Sequence, residues 1–227
     1  MAGLRLIVGL GNPGSEHART RHNAGFHFVE ALAEKAGARW NVDSKLFGET
    51  AKVEIAGQTV WLLKPATFMN LSGKSVTAAQ RFWKIEPEET LLAHDELDLP
   101  PGAARLKFDG GHGGQNGLRD TIRLLGHGKF HRLRVGIGEP STHAINHVLS
   151  RFTADERRIL DEVLDAAADA VEEWAGEGVS RAANRWNTWA PTQEARPDSE
   201  PAPVTTVEET GGIVRHATGW RKLLGRG

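Results

Sequence analysis

The chain has 227 residues, no cysteine and a formal net charge of −1. Its length suits one α/β domain with a substantial core plus a short extra segment, and the lack of thiols excludes a disulfide scaffold or a thiolate metal site. No apolar run approaches the roughly 18 residues of a membrane span, and a strand pattern begins within a few residues of Met1, so the expectation is a soluble cytoplasmic protein without a secretion signal.

Leu4 to Val8 is an apolar run of the kind a buried strand needs. It opens into GLGNPGSEHARTRHNAG, residues 9–25, a loop punctuated by Gly and Pro. Helix is predicted over 23–37, with Gly37 as its stop. Residues 49–63 alternate through Ala51, Val53 and Ile55, turn at Gly57-Gln58 and resume as TVWLL, which reads as a hairpin. A loop, KPATFMN, leads to a helix over 72–84. Residues 90–94 form a short apolar strand ending at Asp95-Glu96, and 99–102 a turn. A strand over 103–108, a Gly-rich loop over 109–114, a helix over 116–125 and a strand over 132–138 follow. Thr153 and Glu156 have capping-box spacing. The helix behind them carries a stripe of Ile159, Leu160, Val163, Leu164, Ala167, Val171 and Trp174. A short helix is expected over 179–189. The domain therefore spans 1–190, and the Pro-, Thr- and Glu-rich stretch 191–227 reads as a disordered tail whose residues 220–224 could dock transiently. Strands alternating with helices predict a single α/β domain, a mixed twisted sheet with helices on both faces.

In such a sheet the loops leaving the carboxyl ends of the strands build the site. Several of those loops carry short polar side chains: Asn12, His22, Asn70, Asp95 and Asn116. Two other readings compete for the first loop and the histidines. Gly9-Leu10-Gly11-Asn12-Pro13-Gly14 has dinucleotide-fingerprint spacing, but Asn12-Pro13-Gly14 is a turn and the helix does not follow at once, so pyrophosphate would lack its helix N-terminus. His143 and His147 lie four apart, yet there is no H-E-x-x-H pattern and no third ligand for zinc.

One His, one Asp and three Asn form a site with no nucleophile of its own. Neither a Cys nor a G-x-S-x-G elbow is present, so a covalent acyl-enzyme has no support. A His can instead take a proton from water, a carboxylate can fix its tautomer, and Asn amides can donate to a developing oxyanion. Those parts suit hydrolysis of an ester or amide by water. The plainer alternatives are an exposed or structural His22, Asp95 as a turn residue, and Asn12 and Asn70 as Asx-turn or cap residues. From Arg105 to Arg134 seven Lys/Arg accompany two acids, whereas from Arg151 to Glu177 three Arg accompany nine acids. The first segment can present a positive field although the total charge is near zero; solvated faces of unequal charge account for the counts equally well.

The runs GLGNPG, TRHNAG, KPATFMNLSG, AHDELDLPPG, GGHGGQNGLRD and FHRLRVGIG occur in this order. Together they resemble bacterial peptidyl-tRNA hydrolase over about residues 3–190. The resemblance implies a hydrolase that cleaves the ester between peptide and tRNA, with peptidyl-tRNA as partner. It implies a cytosolic monomer that needs no metal or other cofactor and makes no membrane contact. It further implies that His22 is the general base, Asp95 its partner, and Asn12 the residue that separates peptidyl from free aminoacyl groups. Phe68, Asn70 and Asn116 then bind substrate, as does His17, where the family commonly has Tyr; this chain has no tyrosine. Lys107 and Arg134, with Arg105 beside them, hold tRNA phosphate. A non-catalytic RNA-binding relative on the same scaffold is the alternative.

Overall fold

A computed structural model of the protein describes residues 3–140 and 143–191, so the predicted tail lies outside the described residues except for Pro191. The elements run β1 (Leu6–Gly9), α1 (Ala24–Lys35), β2 (Asn41–Asp43), β3 (Gly48–Ile55), β4 (Gln58–Pro65), α2 (Ser72–Trp83), β5 (Thr90–Glu96), β6 (Ala104–Phe108), α3 (Asn116–Leu125), β7 (His131–Gly136), α4 (Ala144–Leu149), α5 (Ala154–Glu177) and α6 (Val179–Trp186). The seven strands form one sheet in the order β2-β3-β4-β1-β5-β7-β6. Its centre, β4-β1-β5-β7, is parallel, and antiparallel pairs close both sides.

Period-2 alternation splits the apolar strand residues between two cores. Ile7, Leu62 and Leu91 join Phe28 of α1 and Leu164 of α5 on one face. Leu6, Val8, Leu63 and Leu92 join Val76 of α2 and Leu118 of α3 on the other. Central strands buried on both faces explain why β1 and β5 read as continuous apolar runs rather than alternating ones. Each fully buried side chain of this size contributes about 1.5–3 kcal/mol.

Helix α1 meets the sheet at Gly25. A Cβ there would lie 2.2 Å from the Ala93 carbonyl oxygen and 2.5 Å from the Leu10 amide nitrogen. Only glycine lets the first turn of α1 touch the ends of β1 and β5, and this places residue 22 over the end of β5.

Most predicted elements lie within a few residues of their observed bounds. β2 escaped the sequence reading because its three residues are largely exposed and carry no alternation. α4 is a six-residue helix preceded by His143. The other histidine of that pair, His147, donates from Nε2 to the Ile137 carbonyl at 2.9 Å. The edge strand β6 is covered from α6: Asn187 Oδ1 accepts from Leu106 N at 2.7 Å and its Nδ2 donates to Leu106 O at 2.9 Å.

Candidate active site

The loop after β1 is held at two places. Arg21, buried, donates to Ser150 Oγ at 2.7 Å and pairs with Glu156 at the start of α5. Asn23 bonds both backbone polar groups of Asn12: its Oδ1 accepts from Asn12 N at 2.8 Å and its Nδ2 donates to Asn12 O at 2.9 Å. Between these anchors, a single turn of 3-10 helix over Arg21–Asn23 delivers His22 to the end of β5.

His22 Nδ1 stands 2.9 Å from Asp95 Oδ2. Both groups are buried, Asp95 completely and His22 to 5% exposure. A carboxylate only accepts, so Nδ1 carries the proton of that bond and Nε2 is the basic nitrogen. The other Asp95 oxygen accepts from Gln115 Nε2 at 3.1 Å. Gln115 caps α3, its Oε1 accepting from Leu118 N at 2.9 Å. Its Nε2 also lies 3.1 Å from Met69 Sδ. Met69 closes the circuit, because its backbone N–H donates to Asn12 Oδ1 at 2.8 Å.

These bonds run through His22, Asp95, Gln115, Met69, Asn12 and Asn23, so four chain segments meet at one end of the sheet. Asn70 and Asn116 follow Met69 and Gln115 directly in the chain. Asn70 is exposed and Asn116 half-buried at the first position of α3, and both side-chain amides lack hydrogen-bond partners among the described residues. Phe68 is exposed beside them, at 59%. His17 stands apart from this network. It is half-buried in the turn before Thr20, with Nε2 3.8 Å from Glu16 Oε1.

The basic candidates occupy the sheet edge. Arg105 pairs with Arg134 across β6 and β7, and Lys107 with Arg132, so four cationic side chains share one face. Lys107 is exposed, Arg105 half-buried, and Arg134 bonded through Nε to Glu96 Oε2 at 2.9 Å. Arg132 is different. It is buried, donates to the carbonyls of Gly110 and Gly111, and thereby fixes the Gly-rich loop. Burial pushes its guanidinium down to about 10, which leaves it charged at neutral pH.

Sequence reasoning missed Gln115, Asn23 and the Met69 N–H. The only available signal was adjacency, since each is a chain neighbour of a residue already singled out. Among the described residues, no group of three or more His, Cys, Asp or Glu side chains could hold a metal ion. No helix there is long and apolar enough to cross a membrane.

A buried His–carboxylate pair can deprotonate water, and free asparagine amides can stabilise an oxyanion. The family model for peptidyl-tRNA hydrolase matches residues 6–196. The chain is 83% identical over 173 residues to a peptidyl-tRNA hydrolase of Stenotrophomonas maltophilia, covering 75% of this chain and 90% of that protein. A peptidyl-tRNA hydrolase of Xanthomonas campestris pv. campestris is 75% identical over the same shares of the two chains. A crystal structure of the Acinetobacter baumannii peptidyl-tRNA hydrolase superposes with a TM-score of 0.81 at 47% identity, covering 85% of this chain and 98% of that one. The chain is therefore an enzyme belonging to the peptidyl-tRNA hydrolase family.

Proposed function

We propose that the enzyme hydrolyses the ester joining a peptide to the 3′ end of tRNA, working as a cytoplasmic monomer, with His22 as base on water. The observation that carries this reading is the buried 2.9 Å bond between His22 Nδ1 and Asp95 Oδ2, whose other oxygen accepts from the Gln115 amide. Nε2 takes a proton from water as the water oxygen attacks the acyl carbon. The Asn70 and Asn116 amides are the candidate donors to the tetrahedral oxyanion and to the 3′ end. Collapse expels the ribose oxygen, which takes the proton back from the imidazolium, so the ring ends neutral. Asp95 stabilises the imidazolium between those steps.

Asn12 accounts for discrimination by elimination of its oxygen. Oδ1 is occupied by the Met69 N–H, so what the side chain offers a substrate is its NH₂. A donor suits a peptide carbonyl and has nothing to offer a free α-ammonium, which has only donors of its own. Lys107 and Arg134, with Arg105, form the phosphate-holding face, which positions tRNA without reading its bases. Phe68 supplies apolar contact beside Asn70, and His17 contacts substrate from the turn before His22.

The test is release of tRNA from N-blocked and from free aminoacyl-tRNA, side by side, with His22→Asn as the variant. The wild type cleaves only the blocked substrate, and the variant keeps its thermal transition while losing roughly 10²–10⁴-fold in kcat. A fully active His22→Asn enzyme would remove the base from this mechanism.

A further inference from the structure

We propose that Gln115 is a positioning residue of the hydrolysis, one that holds the Asp95 carboxylate in the orientation His22 needs and, by donating to it, sets the pH at which the base becomes competent. The inference rests on the reading of His22 and Asp95 as base and partner.

Gln115 is fully buried, and its two amide ends have different employers. Oε1 is taken by Leu118 N–H at the α3 cap, so the amide cannot flip without setting its NH₂ against that donor and its oxygen against a carboxylate. The NH₂ is therefore committed to Asp95 Oδ1. With that oxygen bonded, the carboxylate plane is fixed and Oδ2 is aimed at Nδ1. The helix cap and the catalytic pair are one device, which makes the start of α3 a part of the active site.

A neutral donor on a dry carboxylate stabilises its negative charge. Remove it, and the His–Asp pair binds a proton more firmly. The other charged or titratable neighbours do not take over this task. Glu96 is already engaged with Arg134, and Arg21 with Glu156. His94 donates from Nδ1 to the Asp95 backbone oxygen at 2.8 Å, and burial pushes it toward the neutral form. His112 accepts from the Gly114 N–H through Nδ1.

Two substitutions separate the cap from the donor. Gln115→Glu keeps an acceptor for Leu118 N–H but puts a second carboxylate beside Asp95. Gln115→Met keeps the volume and removes both bonds. The readout is the pH dependence of kcat/KM on N-blocked aminoacyl-tRNA, with thermal stability measured in parallel. The acid limb moves to higher pH in both variants, by about one unit for Met, the size expected for losing a hydrogen bond to a charged group. The shift is larger for Glu, whose carboxylate, buried beside that of Asp95, also lowers the transition temperature. KM for tRNA changes little, because the phosphate-holding face is untouched. Acid limbs that coincide with wild type in both folded variants would reduce Gln115 to a helix cap and overturn the proposal. The underlying reading fails separately, through an active His22→Asn enzyme.

Discussion

The tautomer of His22 offers the sharpest test of the site. Asp95→Asn is isosteric and leaves the sheet intact, so its effect is chemical. In the variant, Gln115 Nε2 still requires an acceptor 3.1 Å away, which directs the oxygen of the introduced amide toward Gln115. The new NH₂ then occupies the position of Oδ2, 2.9 Å from His22 Nδ1. Facing a donor, Nδ1 must give up its proton, and the neutral ring carries it on Nε2 instead. That is the nitrogen meant to accept from water. Trapping an imidazole in the wrong tautomer costs about 10⁴-fold in kcat, or about 5.4 kcal/mol of barrier. The assay is steady-state tRNA release from N-blocked aminoacyl-tRNA across pH 5–9, with circular dichroism confirming the fold. Activity within about threefold of wild type would refute the argument, since the defect to be observed is about 10⁴-fold.

Other consequences are open to direct measurement. Gly25→Ala drives a Cβ to 2.2 Å from the Ala93 oxygen, a backbone atom with little room to yield; it should cost at least about 1–3 kcal/mol in denaturant unfolding and reduce kcat by displacing His22. Lys107→Ala should raise KM for tRNA substrates and reduce the log–log salt slope by up to about 0.9, whereas an unchanged slope would remove Lys107 from the phosphate-holding face. His131, ringed by Phe108 and Trp174 at 4.7 and 4.4 Å, is pushed by burial down from 6.5 to about 4. The folded state thus binds its proton less readily than the unfolded state, and stability present above pH 6.5 is lost as pH falls toward 4. His131→Phe should flatten that decline in urea midpoints between pH 7 and pH 4.5; an identical decline would place the acid sensitivity elsewhere.

The sequence made the scaffold legible because β1, β5 and the β3–β4 hairpin carry periodicities that tertiary packing reinforces. It singled out His22, Asp95 and three asparagines because short polar side chains recur in the loops beside the strands, and the structure joins His22, Asp95 and Asn12 in one hydrogen-bonded network. It left Gln115 unread for a physical reason. Gln is not a preferred N-cap residue, so local propensity gave no cue, and its value comes from a carboxylate 20 residues earlier in the chain. The Met69 N–H is a backbone atom, which no side-chain pattern can reveal. Arg132 was counted with the cations of the basic segment, yet it serves the glycine carbonyls of the neighbouring loop. Its count in the sequence is identical to that of Lys107, and only burial tells them apart.

The amide of Asn187 has a consequence for how the protein behaves in concentrated solution. Its paired bonds to both sides of Leu106 imitate an eighth strand one residue long. Strand edges left bare recruit copies of themselves, and polymerisation follows. A chain cut ahead of residue 187 would keep every catalytic group yet uncover the Leu106 backbone, leaving the charges of Arg105 and Lys107 to guard that border against self-association.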